Sequence, residues 1–256
     1  MKIKNIKILY QTKLYIRTLK FFLIDLVKLI KIKTNLNILF KFIVDIFKKF
    51  PNNKNFIKSI YSNSYFEYQD WFQSKIPILI FFLKRKKFHN KSNILEIGSF
   101  EGRSTIFFLF FFKNILKLDN FYINCVDTWK GSLEEPHKKI DFKKVEKNFN
   151  KNLLKKKAFI RKHKTTSNHF FKNINKNLYD VIFIDGSHKF KDVYSDASYA
   201  SKVIKKNGLI IFDDYNWFYY KNLFLNPSHA INLFIKKNKI NFEILYVGTL
   251  FIIRKK

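Results

Sequence analysis

Cysteine and long apolar runs are both scarce in this 256-residue chain. Its single cysteine, Cys125, excludes an internal disulfide framework and favours a reducing compartment. No window approaches the roughly 18 uncharged apolar residues that a bilayer-spanning helix needs. No N-terminal stretch has the layered form of a secretory signal. We therefore expect a cytoplasmic protein with one large domain and an extension.

Acidic residues are few, which makes the chain strongly basic. Lysine and arginine number 50 against 19 aspartate and glutamate, for a formal charge of +31. This balance is typical of proteins that bind nucleic acid or anionic membranes. It is also what a genome rich in A/T codons would produce, since lysine, asparagine, isoleucine and phenylalanine are enriched together. A nucleic-acid-binding protein therefore stays open as an alternative, although we expect no specific nucleic-acid partner.

Glycine occurs six times, and all six positions lie between residues 98 and 248. Glycine tolerates a positive φ angle and close approach of a ligand to the backbone. Gly98 directly follows a short apolar run, Gly102 lies four residues later before a helical pattern, and Gly186 follows the run that ends at Asp185. They therefore indicate strand-to-helix turns, as in a nucleotide-type cofactor site on a parallel sheet.

Residues 1–60 contain no glycine and carry basic residues every few positions among apolar ones. The spacing predicts helices over 13–30 and 37–47, followed by a turn near Pro51. Such a basic helical extension can lie on an anionic membrane surface. It can equally cover the domain or support a homo-oligomer. Residues 61–256 are predicted to form the main domain.

From about residue 90, strand and helix patterns alternate. Strands are predicted at 93–97, 121–126, 158–162, 179–184 and 209–212, with helices at 103–118, 141–155, 189–205 and 227–237. Ser167 is predicted to cap a further helix. The last two strands, 241–246 and 249–254, suggest a closing hairpin. The fold class is therefore α/β: a Rossmann-like, mostly parallel sheet with a terminal antiparallel hairpin.

Ligands of such sheets bind outside the carboxyl ends of the strands, where the polar motifs of this chain fall. The Gly98–Gly102 loop precedes a helix whose free N–H groups favour an anion. Its Gly-x-x-x-Gly spacing, with Glu96 before it, differs from the dinucleotide fingerprint. Asp127 ends the second strand, where a carboxylate can accept both hydroxyls of a ribose or act only in a turn.

Four segments in order resemble class I S-adenosylmethionine-dependent methyltransferases: 94–105, 125–129, 181–188 and 209–215. Within that class the chain is most similar to small-molecule O-methyltransferases, including the macrocin-type sugar enzymes. The resemblance covers about residues 65–255 and implies seven strands. It implies S-adenosylmethionine as cofactor and a small-molecule acceptor such as a sugar. The strongly basic surface keeps an RNA methyltransferase open as the alternative. By this resemblance the cofactor site is lined by Glu96, Gly98, Gly102, Asp127 and Ser167.

Three carboxylates follow two strands that the fold makes neighbours. Asp185 ends the fourth strand, and Asp213 and Asp214 end the fifth, so the three are expected to converge. A hard divalent cation such as Mg²⁺ or Mn²⁺ would relieve their repulsion. His188 would then lie beside the metal with a pKa suited to removing a hydroxyl proton. The resemblance implies the same roles, whereas turn, cap and surface roles without metal remain the alternative.

Overall fold

The structure, a computed structural model, describes residues 53–89, 91–132, 134, 137–172, 174, 178–217, 220 and 222–256. The basic helices predicted at 13–30 and 37–47, and the turn near Pro51, lie outside this range. The strands are β1 Ser92–Ile97, β2 Phe121–Asp127, β3 Ile160–Lys164, β4 Tyr179–Ile184, β5 Ile204–Phe212, β6 Phe242–Val247 and β7 Phe251–Lys255. The helices are α1 Asn53–Ile60, α2 Ile76–Arg85, α3 Arg103–Phe110, α4 Phe142–Leu153, α5 Ser167–Phe171, α6 Phe190–Val203 and α7 Pro227–Asn238.

The strands form one seven-stranded sheet in the order β3-β2-β1-β4-β5-β7-β6. Strands β1 to β5 are parallel, and β7 runs antiparallel between β5 and β6. The predicted mostly parallel sheet with a closing antiparallel hairpin is therefore confirmed. Ile97 pairs with Val126 on one side and Ile184 on the other, and Ile184 pairs with Phe212. This register brings the residues after β1, β2, β4 and β5 to one edge.

Helices cover both faces of the sheet. On one face α3 contributes the fully buried Phe107 and Phe108, which pack with α2 residues including Leu83. On the other face α6 presents Ala197 and Ala200, whose small side chains belong to the same core as α7. The strands between these layers are almost continuously buried and apolar, as expected for parallel strands covered on both faces.

Several element bounds and one helix cap differ from their predictions. The α-helix predicted to reach Leu118 ends at Phe110 and continues as a π-helical turn, Phe111–Ile115. Strand β5 begins at Ile204 because α6 already ends at Val203. Strand β3 occupies Ile160–Lys164, two residues later than predicted. Ser167 is not the helix cap: the Thr166 side chain accepts the His169 backbone N–H, and Ser167 is the first helical residue.

Membrane-spanning helices were predicted to be absent. Across the part of the chain that the structure describes, no helix combines the length and apolarity needed to cross a bilayer.

Candidate active site

A cavity of about 720 Å³ opens at the sheet edge where β1, β2, β4 and β5 end. Its volume falls within the roughly 300–1,000 Å³ of small-molecule sites. It also lies where ligands of open α/β sheets bind. Six residues predicted for the site line it: Gly98, Asp127, Ser167, Asp185, His188 and Asp214.

Gly98 lies where the chain leaves β1 and passes close to β4. Its φ is +85°, and a Cβ atom there would overlap the backbone carbonyl of Asp185. Its N–H donates to Val126 O at 2.9 Å, and the Asp185 N–H donates to Ile97 O at 2.8 Å. Glycine is therefore required by both backbone conformation and the closeness of β4.

Gly102 does not line the cavity. It precedes α3 with a φ of +87°, so it serves the turn into the helix. The position that a Cβ would take lies 3.2 Å from the Phe149 ring. Gly102 thus has a conformational role in the turn before α3, and its contact with the cofactor stays a prediction.

Replacing Gly102 with alanine is expected to lower the free energy of unfolding by about 1–2 kcal/mol, because an L-residue resists the left-handed conformation. Gly186→Ala is the matched control. Its added methyl also meets a side-chain carbon at 3.2 Å, but its φ lies outside the left-handed region. Urea unfolding of both variants measures the difference. Equal losses would show that crowding, not backbone conformation, requires glycine at 102.

Glu96 lies beneath the Gly98 loop and is absent from the cavity lining. Its Oε2 accepts the Ser99 hydroxyl at 2.6 Å and also the Thr105 hydroxyl. Burial raises the pKa of this carboxyl, while the surrounding hydroxyls oppose the rise. Glu96 thus ties the loop to α3 from below, and its predicted contact with the cofactor stays a prediction.

Asp127 lies on the cavity wall and joins two loops. Its Oδ2 accepts the backbone N–H groups of Ser99 and Phe100 at 2.9 and 3.0 Å, and its Oδ1 accepts that of Trp129 at 2.7 Å. A carboxylate offers about four lone-pair positions, so acceptor capacity remains for a ligand. Asp127 thus organises the loop that a bound cofactor would contact.

The acidic cluster predicted after β4 and β5 is present, and it contains a lysine. The Lys75 ammonium is buried and forms ion pairs with Asp213 and, at 3.3 Å, with Asp214. Burial alone would lower the pKa of Lys75, but the carboxylates of Asp213, Asp214 and Asp185 raise it above its ordinary value. Lys75 is therefore a permanent internal cation in the cluster.

His188 has a carboxylate at each ring nitrogen. Its Nδ1 is 3.2 Å from Glu134 Oε1, and its Nε2 is 3.1 Å from Asp214 Oδ2 and 3.9 Å from Asp185 Oδ1. Burial alone would lower the pKa of His188, but Asp214 and Glu134 raise it to about 10. The sequence interpretation gave this histidine a pKa near neutrality, whereas these carboxylates favour the imidazolium.

The groups that could hold a metal differ from the predicted set. Asp185, His188 and Asp214 offer ligand atoms that all lie within 4.8 Å of one another. Asp213 is instead directed at Lys75. Two carboxylates and an imidazole suit a divalent ion such as Mn²⁺, so the residues fit one once the histidine loses its proton. Asp213 is corrected from a predicted ligand to the partner of Lys75.

Sequence reasoning did not identify Lys75, Glu134 or Trp71 as site residues, although all three line the cavity. Lys75 and Trp71 precede β1 and belong to no recognisable motif. Glu134 lies in the irregular segment after Asp127. Trp217 also lines the cavity, and its ring centroid lies 4.6 Å from that of His188.

Comparison with known proteins identifies a methyltransferase domain in this chain. Residues 95–215 match a family model described as a methyltransferase domain. The fold is similar to that of a putative O-methyltransferase from Klebsiella pneumoniae, with 13% identity, 91% of this chain and 96% of that chain covered and a TM-score of 0.50. The fold is also similar to that of cofactor-bound Rv0187 from MTB, with 10% identity and a TM-score of 0.51. The match covers 83% of this chain and 95% of that chain. No curated protein matches the chain.

The methyltransferase domain and the sheet order together confirm the resemblance drawn from the four motifs. Residues 95–215 of this chain therefore carry a methyltransferase domain of the S-adenosylmethionine-dependent class.

Proposed function

We propose that this enzyme transfers the methyl group of S-adenosylmethionine to an oxygen of a small molecule such as a sugar. The observation that carries the proposal is the cavity at the sheet edge, which two groups of predicted residues line together. It joins a cofactor end, containing Gly98, Asp127 and Ser167, to an end lined by Asp185, His188 and Asp214. One cavity that holds both reactants can align them for direct transfer.

The cofactor end suits the polar groups of S-adenosylmethionine. Helix α3 directs free N–H groups towards the cavity from Arg103 onward, which favours the carboxylate of the methionine part. Asp127 is an acceptor on the wall, and we assign it to the ribose hydroxyls. Ser167, the first residue of α5, is assigned to the neighbourhood of the adenine.

The acceptor end provides orientation and proton transfer. As the acceptor oxygen bonds to the methyl carbon, the bond from that carbon to sulfur breaks and the hydroxyl proton must leave. His188 is the base in this proposal, and Glu134 orients its ring through Nδ1. Because its pKa is raised to about 10, His188 must release a proton before it can accept one.

Asp185, His188 and Asp214 would hold a divalent cation at this end. The ion would supply charge that lowers the pKa of the acceptor hydroxyl and favours the neutral imidazole. Asp213 and Lys75 would not bind the ion. The Lys75 ammonium donates hydrogen bonds to both Asp213 and Asp214 and so orients Asp214. Trp71 and Trp217 add flat apolar surfaces suited to a ring-shaped acceptor.

The first test is cofactor binding. Titration calorimetry with S-adenosylhomocysteine should give a dissociation constant in the micromolar range, about −8 kcal/mol. Asp127→Ala should weaken binding by about 1.5–3 kcal/mol, since a charged acceptor is lost. Asp119→Ala is the control, because that carboxylate is exposed and pairs with Lys113 away from the cavity. Undetectable binding by the wild type, or unchanged binding by Asp127→Ala, would contradict the assignment.

A further inference from the structure

Asp196 is a buried carboxylate at the cavity that none of the roles above uses. It lies on α6, lines the cavity and is 3% exposed. Its Oδ1 is fully buried and has no hydrogen-bond partner among the residues that the structure describes. An unpartnered buried acceptor is costly, more so when charged, so it marks a position where a donor is missing.

The neighbouring polar groups already have partners. Ser187 Oγ donates to Asp192 Oδ2 at 2.6 Å, and Ser195 Oγ donates to Asn168 Oδ1 at 2.8 Å. Burial raises the pKa of Asp196 to about 7, and the Ser167 side chain opposes this rise. The acceptor that lacks a donor is therefore Oδ1 of Asp196, and this residue lies beside Ser167, the first residue of α5.

The charges around the cavity narrow the choice of donor. The lysine and arginine among its described lining residues are Lys75 and Arg103. Lys75 pairs with Asp213, and Arg103 begins α3, whose core lies on the sheet face opposite α6. The corner containing Asp192 and Asp196 therefore repels the cofactor's carboxylate and the amino-acid group that carries it. With the ribose assigned to Asp127, the donor left for this corner is the exocyclic amine of adenine.

We propose that Asp196 is a specificity-determining residue whose Oδ1 accepts a hydrogen bond from the exocyclic amine of the cofactor's adenine. This inference rests on the proposed placement of the cofactor in the cavity. The contact gives the buried oxygen its missing donor. It also discriminates against a base with a carbonyl in place of the amine, because two acceptors would then face each other.

The test compares S-adenosylhomocysteine with S-inosylhomocysteine, its deaminated analogue, by titration calorimetry at about pH 8.5. At this pH Asp196, whose pKa is raised to about 7, is ionised and cannot donate to the carbonyl of the deaminated base. The wild type should bind the adenine compound roughly 10–100-fold more tightly, the effect of one hydrogen bond to a charged group. Asp196→Ala should reduce this ratio to within about threefold, mainly by weakening the adenine compound. Asp119→Ala, which removes an exposed carboxylate that pairs with Lys113 and does not line the cavity, should keep the wild-type ratio.

Asp196→Asn provides a second measurement should the alanine variant fail to fold. Its amide can donate to the hypoxanthine carbonyl as well as accept from the amine, so the ratio should again fall. A wild-type ratio in either folded variant, or equal binding of both compounds by the wild type, would overturn the role of Asp196 and leave the proposed function standing. Failure of the wild type to bind either compound would instead overturn the cofactor placement and the inference with it.

Discussion

Replacing Lys75 with methionine is expected to lower the free energy of unfolding by about 3–5 kcal/mol near pH 8. Methionine has nearly the same length but no charge, so the change removes the cation and retains most of the packing. Asp213, 5% exposed, would be left without its partner, and Asp214 would lose one of two. Removing one member of a buried ion pair is costly because the other charge stays desolvated.

The loss should depend on pH. Burial raises the pKa of Asp213 from 3.8 to about 6, although Lys75 opposes this. Because the folded state holds this proton more tightly than the unfolded chain, the contribution to stability falls as pH rises from 3.8 to about 6. Without Lys75 the pKa of Asp213 rises further, so the variant continues to lose stability above pH 6. The difference from wild type should therefore be smaller at pH 5 than at pH 8.

Urea unfolding at the two pH values measures both effects. Lys113→Met is the control: its side chain is 43% exposed and pairs with the exposed Asp119, so its loss should cost less than about 1 kcal/mol. Lys75→Arg keeps the charge and should retain part of the stability. A cost below about 1 kcal/mol for Lys75→Met, independent of pH, would mean that Asp213 and Asp214 are compensated by other means.

The sequence was sufficient to predict which residues meet at the sheet edge. Strands that begin after helices and end at polar motifs must have their carboxyl ends together in a parallel sheet. This reasoning correctly brought Gly98, Asp127, Asp185 and Asp214 to one cavity. It depends on topology alone, so it was unaffected by errors of several residues in the ends of β5 and α3.

Side-chain direction and distant partners could not be predicted in this way. Glu96 and Gly102 flank the Gly98 loop in sequence, yet one lies beneath it and the other behind it. Lys75 precedes Asp213 by 138 residues and lies outside every motif, so only tertiary packing brings its ammonium to the cluster. Because the Lys75 ammonium lies against Asp213, while His188 lies beside Asp214, these two adjacent aspartates have different surroundings.

Because Asp213 faces Lys75 whereas Asp214 lies beside His188, substitutions in the acidic cluster should differ in their effect on metal binding. Asp185→Asn is expected to weaken Mn²⁺ binding at least ~100-fold, because it removes one of two carboxylates from the cluster that fits an ion. Asp213→Asn should leave the affinity within about fivefold, since Asp213 is directed at Lys75. Calorimetry or electron paramagnetic resonance with Mn²⁺ measures both, and S-adenosylhomocysteine binding by each variant serves as a check on folding.

Metal binding should also strengthen with pH. Burial and the charge of Asp213 raise the pKa of Asp185 well above its ordinary value, and that of His188 is raised to about 10. Both groups must lose protons to bind a cation, so the affinity should rise about tenfold per pH unit for each proton released between pH 6 and 9. Wild-type affinity in Asp185→Asn, or an affinity independent of pH, would exclude this cluster as the metal site. Methyl transfer would then depend on positioning, with Lys75 and His188 as the cations of the acceptor end.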